Sequence, residues 1–203
     1  MTPFDELEGY VMGTVTLWMQ MSLDGFAEGP DHTAHWPVVD EELCASFLSE
    51  LSAADTFLYG RKTYELMASF WPTADAEPAI SPFYIEFARC WKAKPKIVFS
   101  RTLDDAGWNT RVVSHSLLDE VRKLRTCTDD DMILFGGAQT ASTFMKYGLV
   151  DRFRLFLHPM LLGSGTPLFA ESVDTSTLQL VDVITYDSAV VQVQYQNTSP
   201  VVR

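Results

Sequence analysis

The chain has 203 residues, of which 47% are hydrophobic and 21% are charged, and its 27 acidic and 15 basic residues give a formal net charge of −12. A charge this negative repels the phosphates of nucleic acids, so the composition excludes a nucleic-acid-binding protein. The longest apolar stretches are much shorter than the roughly 20 residues of a membrane-spanning helix, which excludes a membrane partner.

The cysteines and the start of the chain indicate where the protein works. Cys44, Cys90 and Cys127 are odd in number and far apart, which argues against a disulfide framework. The acidic first nine residues lack the basic and apolar regions of a signal or transit peptide. We therefore expect a cytoplasmic protein.

The charge is unevenly distributed along the chain. Residues 1–60 contain eleven acidic and no basic side chains, whereas residues 61–125 contain eight acidic and eleven basic ones. A bound anion should therefore depend on the middle third of the chain.

Hydrophobic periodicity predicts strands and helices in alternation. Strands are predicted over 11–21, 56–59, 96–100, 112–113, 132–135, 152–158, 178–186 and 190–195. Helices are predicted over 40–53, 63–70 and 81–91, after Ser116, and between Gly137 and Gly148. No repeat or linker divides the chain, so we expect one domain over residues 1–203, with a core from about 12 to 196.

This alternation predicts an α/β fold, a three-layer sandwich in which helices cover both faces of a mostly parallel sheet of about eight strands. The last two strands, joined at Asp187 and Ser188, predict a C-terminal antiparallel hairpin at one edge. Apolar residues such as Leu180, Val181 and Val183 leave a surface that can pair across a two-fold axis, so we expect a homodimer.

Three predicted strand ends carry residues suited to a phosphate, although both the P-loop and the G-x-G-x-x-G patterns are absent. The segments are Gly60-Arg61-Lys62-Thr63, Ser100-Arg101 and Gly136-Gly137-Ala138-Gln139. Strand carboxyl ends are where open α/β sheets bind ligands. Arg61 and Lys62 at a helix start oppose the helix dipole, which suggests that an anion supplies the missing negative charge. Two glycines alone are more typical of an ordinary tight turn than of a phosphate site.

The first predicted strand leads into Asp24-Gly25, which is either a carboxylate at the same edge or an ordinary solvated turn. His32 and His35 follow, but no third ligand has a suitable spacing, so we predict no metal site. No serine lies in a nucleophile elbow and no cysteine has an evident activating histidine, so nucleophilic catalysis is not indicated.

Five segments occur in a fixed order: SLDGF (22–26), LYGRKTYE (58–65), KIVFSR (96–101), LFGG (134–137) and PMLLGSGTPLF (159–169). Together they resemble the dihydrofolate reductase-like superfamily, and within it the riboflavin-biosynthesis reductase family, the bacterial RibD C-terminal domain. The resemblance implies an NADPH-dependent reductase that transfers a hydride to a small heterocyclic or carbonyl substrate, as 5-amino-6-(5-phosphoribosylamino)uracil reductase does.

The resemblance also implies roles for individual residues. The implied cofactor-binding residues are Gly60, Arg61, Lys62, Thr63, Ser100, Arg101, Gly136, Gly137, Ala138 and Gln139. Asp24 is the implied catalytic or substrate-orienting carboxylate, and the candidate substrate-binding residues are Phe26, Trp36 and Glu41. Phe26 stands where the pyrimidine reductases have an arginine, so the resemblance does not specify a phosphoribosyl substrate.

Two alternatives stay open beside this reductase. Folate reductases carry a carboxylate in the helix after a tryptophan, an arrangement that Trp36 and the acidic residues 40–42 offer. The arginine that grips the folate tail would fall near Lys94, a weaker partner for a carboxylate. The other alternative is a non-catalytic module that binds NADPH without reducing a substrate.

Overall fold

The computed structural model describes residues 12–31, 37–76, 81–127, 129–169 and 176–198. Its strands are β1 Thr14–Ser22, β2 Phe26–Glu28, β3 Thr56–Gly60, β4 Lys96–Phe99, β5 Thr110–Val113, β6 Asp131–Leu134, β7 Arg152–His158, β8 Thr166–Pro167, β9 Leu178–Thr185 and β10 Val191–Asn197. Its helices are α1 Glu41–Ala53, α2 Arg61–Ala74, α3 Pro82–Ala93, α4 Leu117–Cys127 and α5 Ala138–Lys146.

Eight of the strands form one sheet in the order β5-β4-β3-β6-β1-β7-β10-β9. The first six are parallel, and β10 runs antiparallel to β7 and to β9. The predicted α/β class, the number of strands and the C-terminal antiparallel hairpin are confirmed. The short antiparallel pair β2–β8 was not expected, because neither strand is long enough to show a periodic pattern.

Helices bury apolar side chains on both faces of the sheet. Alternate residues of β1, such as Val15 and Leu17, pack with Phe144 of α5 on one face. Trp18 points to the other face and packs with Phe47 of α1. This alternation follows from the two-residue period of a strand and produces the expected three layers.

A buried polar cluster ties α1 to the C-terminal hairpin. The Glu50 carboxylate accepts hydrogen bonds from Trp18 Nε1 at 3.1 Å and Gln192 Nε2 at 2.9 Å, and it pairs with Arg154 at 3.0 Å. At the other end of the helix, Asp40 accepts a hydrogen bond from the Ser188 amide at 2.7 Å. Both ends of α1 are therefore held against the sheet.

In the ranges that the structure describes, no helix has the length and apolar character needed to cross a membrane.

Candidate functional site

Two of the segments predicted to bind phosphate, the turns at Gly60 and at Gly136-Gly137, lie side by side, because β3 and β6 are neighbours in the sheet. We call them the glycine turns. The Gly60 amide donates a hydrogen bond to the Gly136 carbonyl at 2.9 Å. A Cβ atom on Gly60 would collide with Thr140 Oγ1, and one on Gly136, where φ is +79°, would collide with the Met19 methyl group. Both positions therefore require glycine, and the close approach joins the two turns into one surface.

The helices that follow these turns begin without a side-chain cap. α2 has no acidic residue in its first turn and carries Arg61 and Lys62 there, and α5 also starts without acidic residues. In contrast, α1 is capped by Asp40, and α1 and α4 both have acidic first turns. α3 also lacks a side-chain cap, but it starts with a proline and so has one N–H group fewer. Free N–H groups and two helix dipoles therefore meet at the joined glycine turns, an arrangement that favours an anion.

Cationic and hydroxyl side chains surround the start of α2. Arg61 forms an ion pair with Glu65 at 3.0 Å, with both side chains more than two-fifths exposed. Such a pair stabilises a helix by only about 0.3–0.5 kcal/mol, so a phosphate can replace the carboxylate. Thr63 Oγ1 lies 3.2 Å from the point that a Cβ atom on Gly137 would occupy. Lys62 is exposed.

The third predicted segment lies on the next strand outward, β4. Ser100 Oγ accepts hydrogen bonds from the amides of Thr102 at 3.1 Å and Leu103 at 3.0 Å, so it caps a turn. Arg101 is exposed, and no ion pair engages it in the described ranges. Ala138 is buried under the second turn, and the adjacent Gln139 is exposed.

Asp24 lies in the turn between β1 and β2, where its carboxylate holds a second loop in place. It accepts hydrogen bonds from Ser22 Oγ at 2.6 Å, the Leu162 amide at 3.1 Å and the Gly163 amide at 2.8 Å. These bonds, chiefly that from Ser22, lower the pKa of Asp24 below its usual value. The group is therefore an anion at neutral pH, better suited to orienting its surroundings than to donating a proton.

One carboxylate that the sequence did not reveal, Glu28, lies at the glycine turns. Glu28 ends β2, and its Oε1 lies 3.2 Å from the point that a Cβ atom on Gly137 would occupy. Thr166 Oγ1 donates a hydrogen bond to its other oxygen at 3.2 Å. No local pattern could have identified Glu28, because its position depends on the pairing of β2 with residues about 138 positions later in the chain.

Two of the candidate substrate-binding residues lie in the described ranges, and they are on different elements. Phe26 is half-buried on β2, and its amide donates to Ser22 Oγ at 3.0 Å. Glu41 is exposed in the first turn of α1. Trp36, together with His32 and His35, lies outside the described residues. Lys94 donates to the Ser52 carbonyl at 2.8 Å, at the edge where the strands begin, which is opposite to the glycine turns.

A buried histidine supports the edge of the site. His158, at the end of β7, accepts a hydrogen bond from the Val38 amide at its Nδ1, at 3.2 Å. Its Nε2 lies 3.0 Å from Gln20 Oε1, so the proton is on Nε2. Burial lowers its pKa to about 4, so the ring is neutral at physiological pH. Among the described residues, no group of three side chains could hold a metal ion.

A parallel sheet with uncapped helix starts along its carboxyl edge places this chain among the open α/β proteins, the class in which ligand sites lie at that edge. The model of the RibD C-terminal domain family matches residues 13–192, and the chain belongs to this family. It is 35% identical to the Bacillus subtilis protein YyaP over 89% of this chain and 93% of YyaP. It is 25% identical to the riboflavin biosynthesis protein RibD of Corynebacterium ammoniagenes, where the match covers 81% of this chain and 48% of RibD.

Solved structures show the same fold. A putative riboflavin biosynthesis protein from Shewanella sp. PV-4 superposes with a TM-score of 0.70 at 21% identity, over 91% of this chain and 99% of the other. Dihydrofolate reductase from Enterococcus faecalis, solved as a complex with NADP(H), superposes with a TM-score of 0.64 at 15% identity, over 94% and 99% of the two chains. The fold is therefore dihydrofolate reductase-like.

Proposed function

We propose that this protein is an NADPH-dependent reductase that transfers a hydride to a small heterocyclic or carbonyl substrate. The observation that carries the proposal is the pair of uncapped helix starts at the joined glycine turns, with cations beside one of them. The site fits an elongated phosphate ligand, because free N–H groups occur at two adjacent points of the edge.

The cofactor-binding residues of the proposal remain those implied by the resemblance. The glycine turns, with Arg61, Lys62 and Thr63, would hold the pyrophosphate through N–H groups and charge. Ser100 and Arg101 would lie toward the adenosine 2′-phosphate, where an extra cation favours NADPH over NADH. Bound there, the cofactor supplies the hydride, and the protein supplies orientation and electrostatics.

On the substrate side, we assign Asp24 the role of an orienting carboxylate. Its three hydrogen bonds fix the loop at Leu162 and Gly163 against the end of β1. Phe26, Trp36 and Glu41 remain the proposed substrate contacts. An apolar Phe26 favours a flat ring without a phosphoribosyl group over the substrate of the pyrimidine reductases.

The cofactor assignment can be tested by titrating the protein with NADPH and following nicotinamide fluorescence. Arg61→Gln should raise the Kd for NADPH about tenfold, because a charge-assisted hydrogen bond to a phosphate is lost. Arg89→Gln is the matched control, since Arg89 also forms an exposed ion pair within one helix but lies on α3. It should change the Kd by less than about twofold. Absence of NADPH binding at tens of micromolar would refute the proposal.

Arg101→Gln tests the preference for NADPH. It should weaken NADPH binding and leave NADH binding unchanged, because only NADPH carries the 2′-phosphate. Equal preference for the two cofactors in the natural protein would contradict the assignment of Arg101.

Turnover is a separate question from cofactor binding. Asp24→Asn should leave the Kd for NADPH nearly unchanged while the rate of NADPH oxidation falls. The rate of NADPH oxidation, measured with a panel of pterins, aminouracils and simple carbonyl compounds, identifies the class of substrate. Oxidation with dihydrofolate alone would support the folate alternative, and binding without oxidation by any of them would support the non-catalytic module.

We further propose a homodimer that forms through β9. Almost every residue of this strand is exposed, including Leu180, Val181 and Val183, each about half exposed or more. An exposed apolar strand at the end of a sheet is prone to pair with another copy. Light scattering after gel filtration should give twice the chain mass. Val181→Lys should give the single mass, whereas Leu66→Lys, at an equally exposed apolar residue of α2, should not.

The proposed location is the cytoplasm. Cys44 and Cys90 are free thiols, and reduced thiols are typical of that compartment.

A further inference from the structure

The outer surface of α2 divides into a polar row and an apolar row of side chains. The polar row consists of residues three or four positions apart, namely Lys62, Glu65, Ser69 and Thr73. The other row begins at Thr63, and the residues three, four and seven positions further on are Leu66, Met67 and Phe70. Residues at these spacings share one side of a helix, so the three apolar side chains lie in line with Thr63. We call Leu66, Met67 and Phe70 the apolar stripe.

The apolar stripe begins beside the candidate site. Thr63 Oγ1 lies 3.2 Å from the point that a Cβ atom on Gly137 would occupy, so the residue that leads into the stripe faces a glycine turn. Leu66 follows Thr63 by about one helical turn, roughly 5 Å along the helix axis. A ligand that contacts Thr63 and extends along α2 therefore meets Leu66 next.

Two side chains of the apolar stripe are open to solvent. Leu66 is 58% exposed and Phe70 is 43% exposed, whereas Met67 is half-buried and packs on the core beneath them. Single exposed apolar side chains are common on protein surfaces. A contiguous apolar row that adjoins a ligand site is instead typical of a binding surface.

Aromatic rings hold the far end of the apolar stripe in place. The Phe70 ring packs edge-on against Trp71 and against Tyr84 of α3, with 5.0 and 5.9 Å between ring centroids. Trp71 also stacks on Tyr84 at 5.6 Å. These contacts fix the Phe70 ring and leave its outer surface free. A ligand that packs on a fixed ring does not have to order it, which lowers the cost of binding.

We propose that Leu66 and Phe70 form one wall of the substrate site, and that the substrate carries a planar, apolar group that packs against them. This inference rests on the proposed function. A substrate that accepts a hydride must lie beside the cofactor, and the apolar stripe adjoins the turns proposed to hold that cofactor. A phosphoribosyl group would bind poorly here, because its hydroxyl and phosphate groups would lose water at side chains that offer no hydrogen bond. Leu66 and Phe70 therefore select the substrate through apolar contact.

The test measures binding without turnover and uses two probes of opposite chemistry. 2-Naphthamide is planar and apolar, and ribose 5-phosphate carries the phosphoribosyl chemistry. Each is titrated by calorimetry into the protein saturated with NADP+. We expect one site per chain for 2-naphthamide and no binding of ribose 5-phosphate at the same concentrations.

Substitutions in the apolar stripe test where 2-naphthamide binds. Leu66→Gln and Phe70→Gln should each raise its Kd about fivefold to tenfold, because apolar contact area is lost, and should leave the Kd for NADP+ unchanged. Tyr147→Gln is the matched control, since Tyr147 is an aromatic residue of similar exposure, 46%, at the C-terminal end of α5. It should change neither Kd.

The outcomes separate this inference from the proposed function. If the natural protein binds neither NADP+ nor NADPH, the proposed function fails, and this inference fails with it. If the cofactor binds but 2-naphthamide does not, or if both substitutions leave the Kd for 2-naphthamide unchanged, the wall is overturned while the reductase proposal stands.

Two further results complete the test. If Leu66→Gln halves the mass measured by light scattering, the apolar stripe pairs with a second copy of the chain, and the inference is overturned. If Phe70→Gln does not fold, Leu66→Gln decides, because Leu66 is exposed and glutamine keeps the length and helix propensity of the side chain.

Discussion

His158 makes the stability of the protein depend on pH in a way that a single substitution can isolate. The ring is fully buried and neutral, and burial lowers its pKa from about 6.5 to about 4. The unfolded chain therefore takes up a proton below about pH 6.5 that the folded chain does not, so stability is lost as the pH falls from about 6.5 to 4. Between neutral pH and about pH 5, this difference in proton uptake lowers the free energy of unfolding by about 2 kcal/mol.

His158→Asn removes this contribution while keeping an oxygen that can accept from the Val38 amide. The variant should be less stable than the natural protein at pH 7, because it loses the contact with Gln20 and leaves space in the core. Between about pH 7 and pH 5, however, its free energy of unfolding should fall by about 2 kcal/mol less than that of the natural protein.

Urea unfolding at the two pH values measures this difference, since the carboxylates titrate alike in both proteins. Equal losses in the natural protein and the variant would refute the reasoning, because they would mean that His158 is already protonated in the fold or is exposed to water. A pH near 5 is low enough for the effect and lies above the sequence pI of about 4.6, where the protein would precipitate.

Three further predictions concern stability and close packing. Gly60→Ala should weaken NADPH binding and lower the free energy of unfolding by about 1–3 kcal/mol, because the new methyl group collides with Thr140. Adding Thr140→Ala should restore much of both, measured by NADPH titration and urea unfolding. A double variant no better than Gly60→Ala would contradict the predicted collision. Glu50→Gln should lower the unfolding free energy by about 1–3 kcal/mol, because it leaves a half-buried arginine without its counter-charge, and an unchanged urea midpoint would contradict this. Arg125→Met should lower the free energy of unfolding by about 3–5 kcal/mol, because it removes the buried partner of the Asp151 carboxylate. Asp151→Asn in the same chain should recover part of this loss, which a double-mutant cycle measures.

The junctions at Gly60 and Gly136 could be predicted from the sequence because each depends on adjacent residues. A buried strand, a glycine and a helical pattern follow one another within about ten positions. The uncapped helix start is visible because Gly60 offers no side-chain cap and no acidic residue lies in the first turn of the helix. The helix starts two residues before the predicted boundary at Thr63, which places Arg61 and Lys62 in its first turn. Such features depend on residues that are adjacent in the chain, so a local sequence pattern reveals them.

The roles of the carboxylates Asp24, Glu28 and Asp40 could not be predicted in the same way, because these roles depend on contacts between distant segments. Asp24 accepts hydrogen bonds from amides 138 and 139 positions away, and Glu28 lies near Gly137 in a fold where β2 pairs with β8. Asp40 has the pattern of a helix cap, which it is, but its second oxygen binds the hairpin turn at Ser188. The sequence identifies a carboxylate and its charge, but only the folded structure shows which hydrogen-bond donors surround it.

The net charge of −12 and an anionic ligand are compatible because the two act over different distances. At physiological ionic strength, charges more than about 8 Å apart are largely screened, so the acidic surface contributes little at the glycine turns. There, the uncapped N–H groups of α2 and α5 act at hydrogen-bond distance, and Arg61 and Arg101 add local positive charge. A protein with this charge distribution can therefore repel a polyanion and still bind one small anionic ligand.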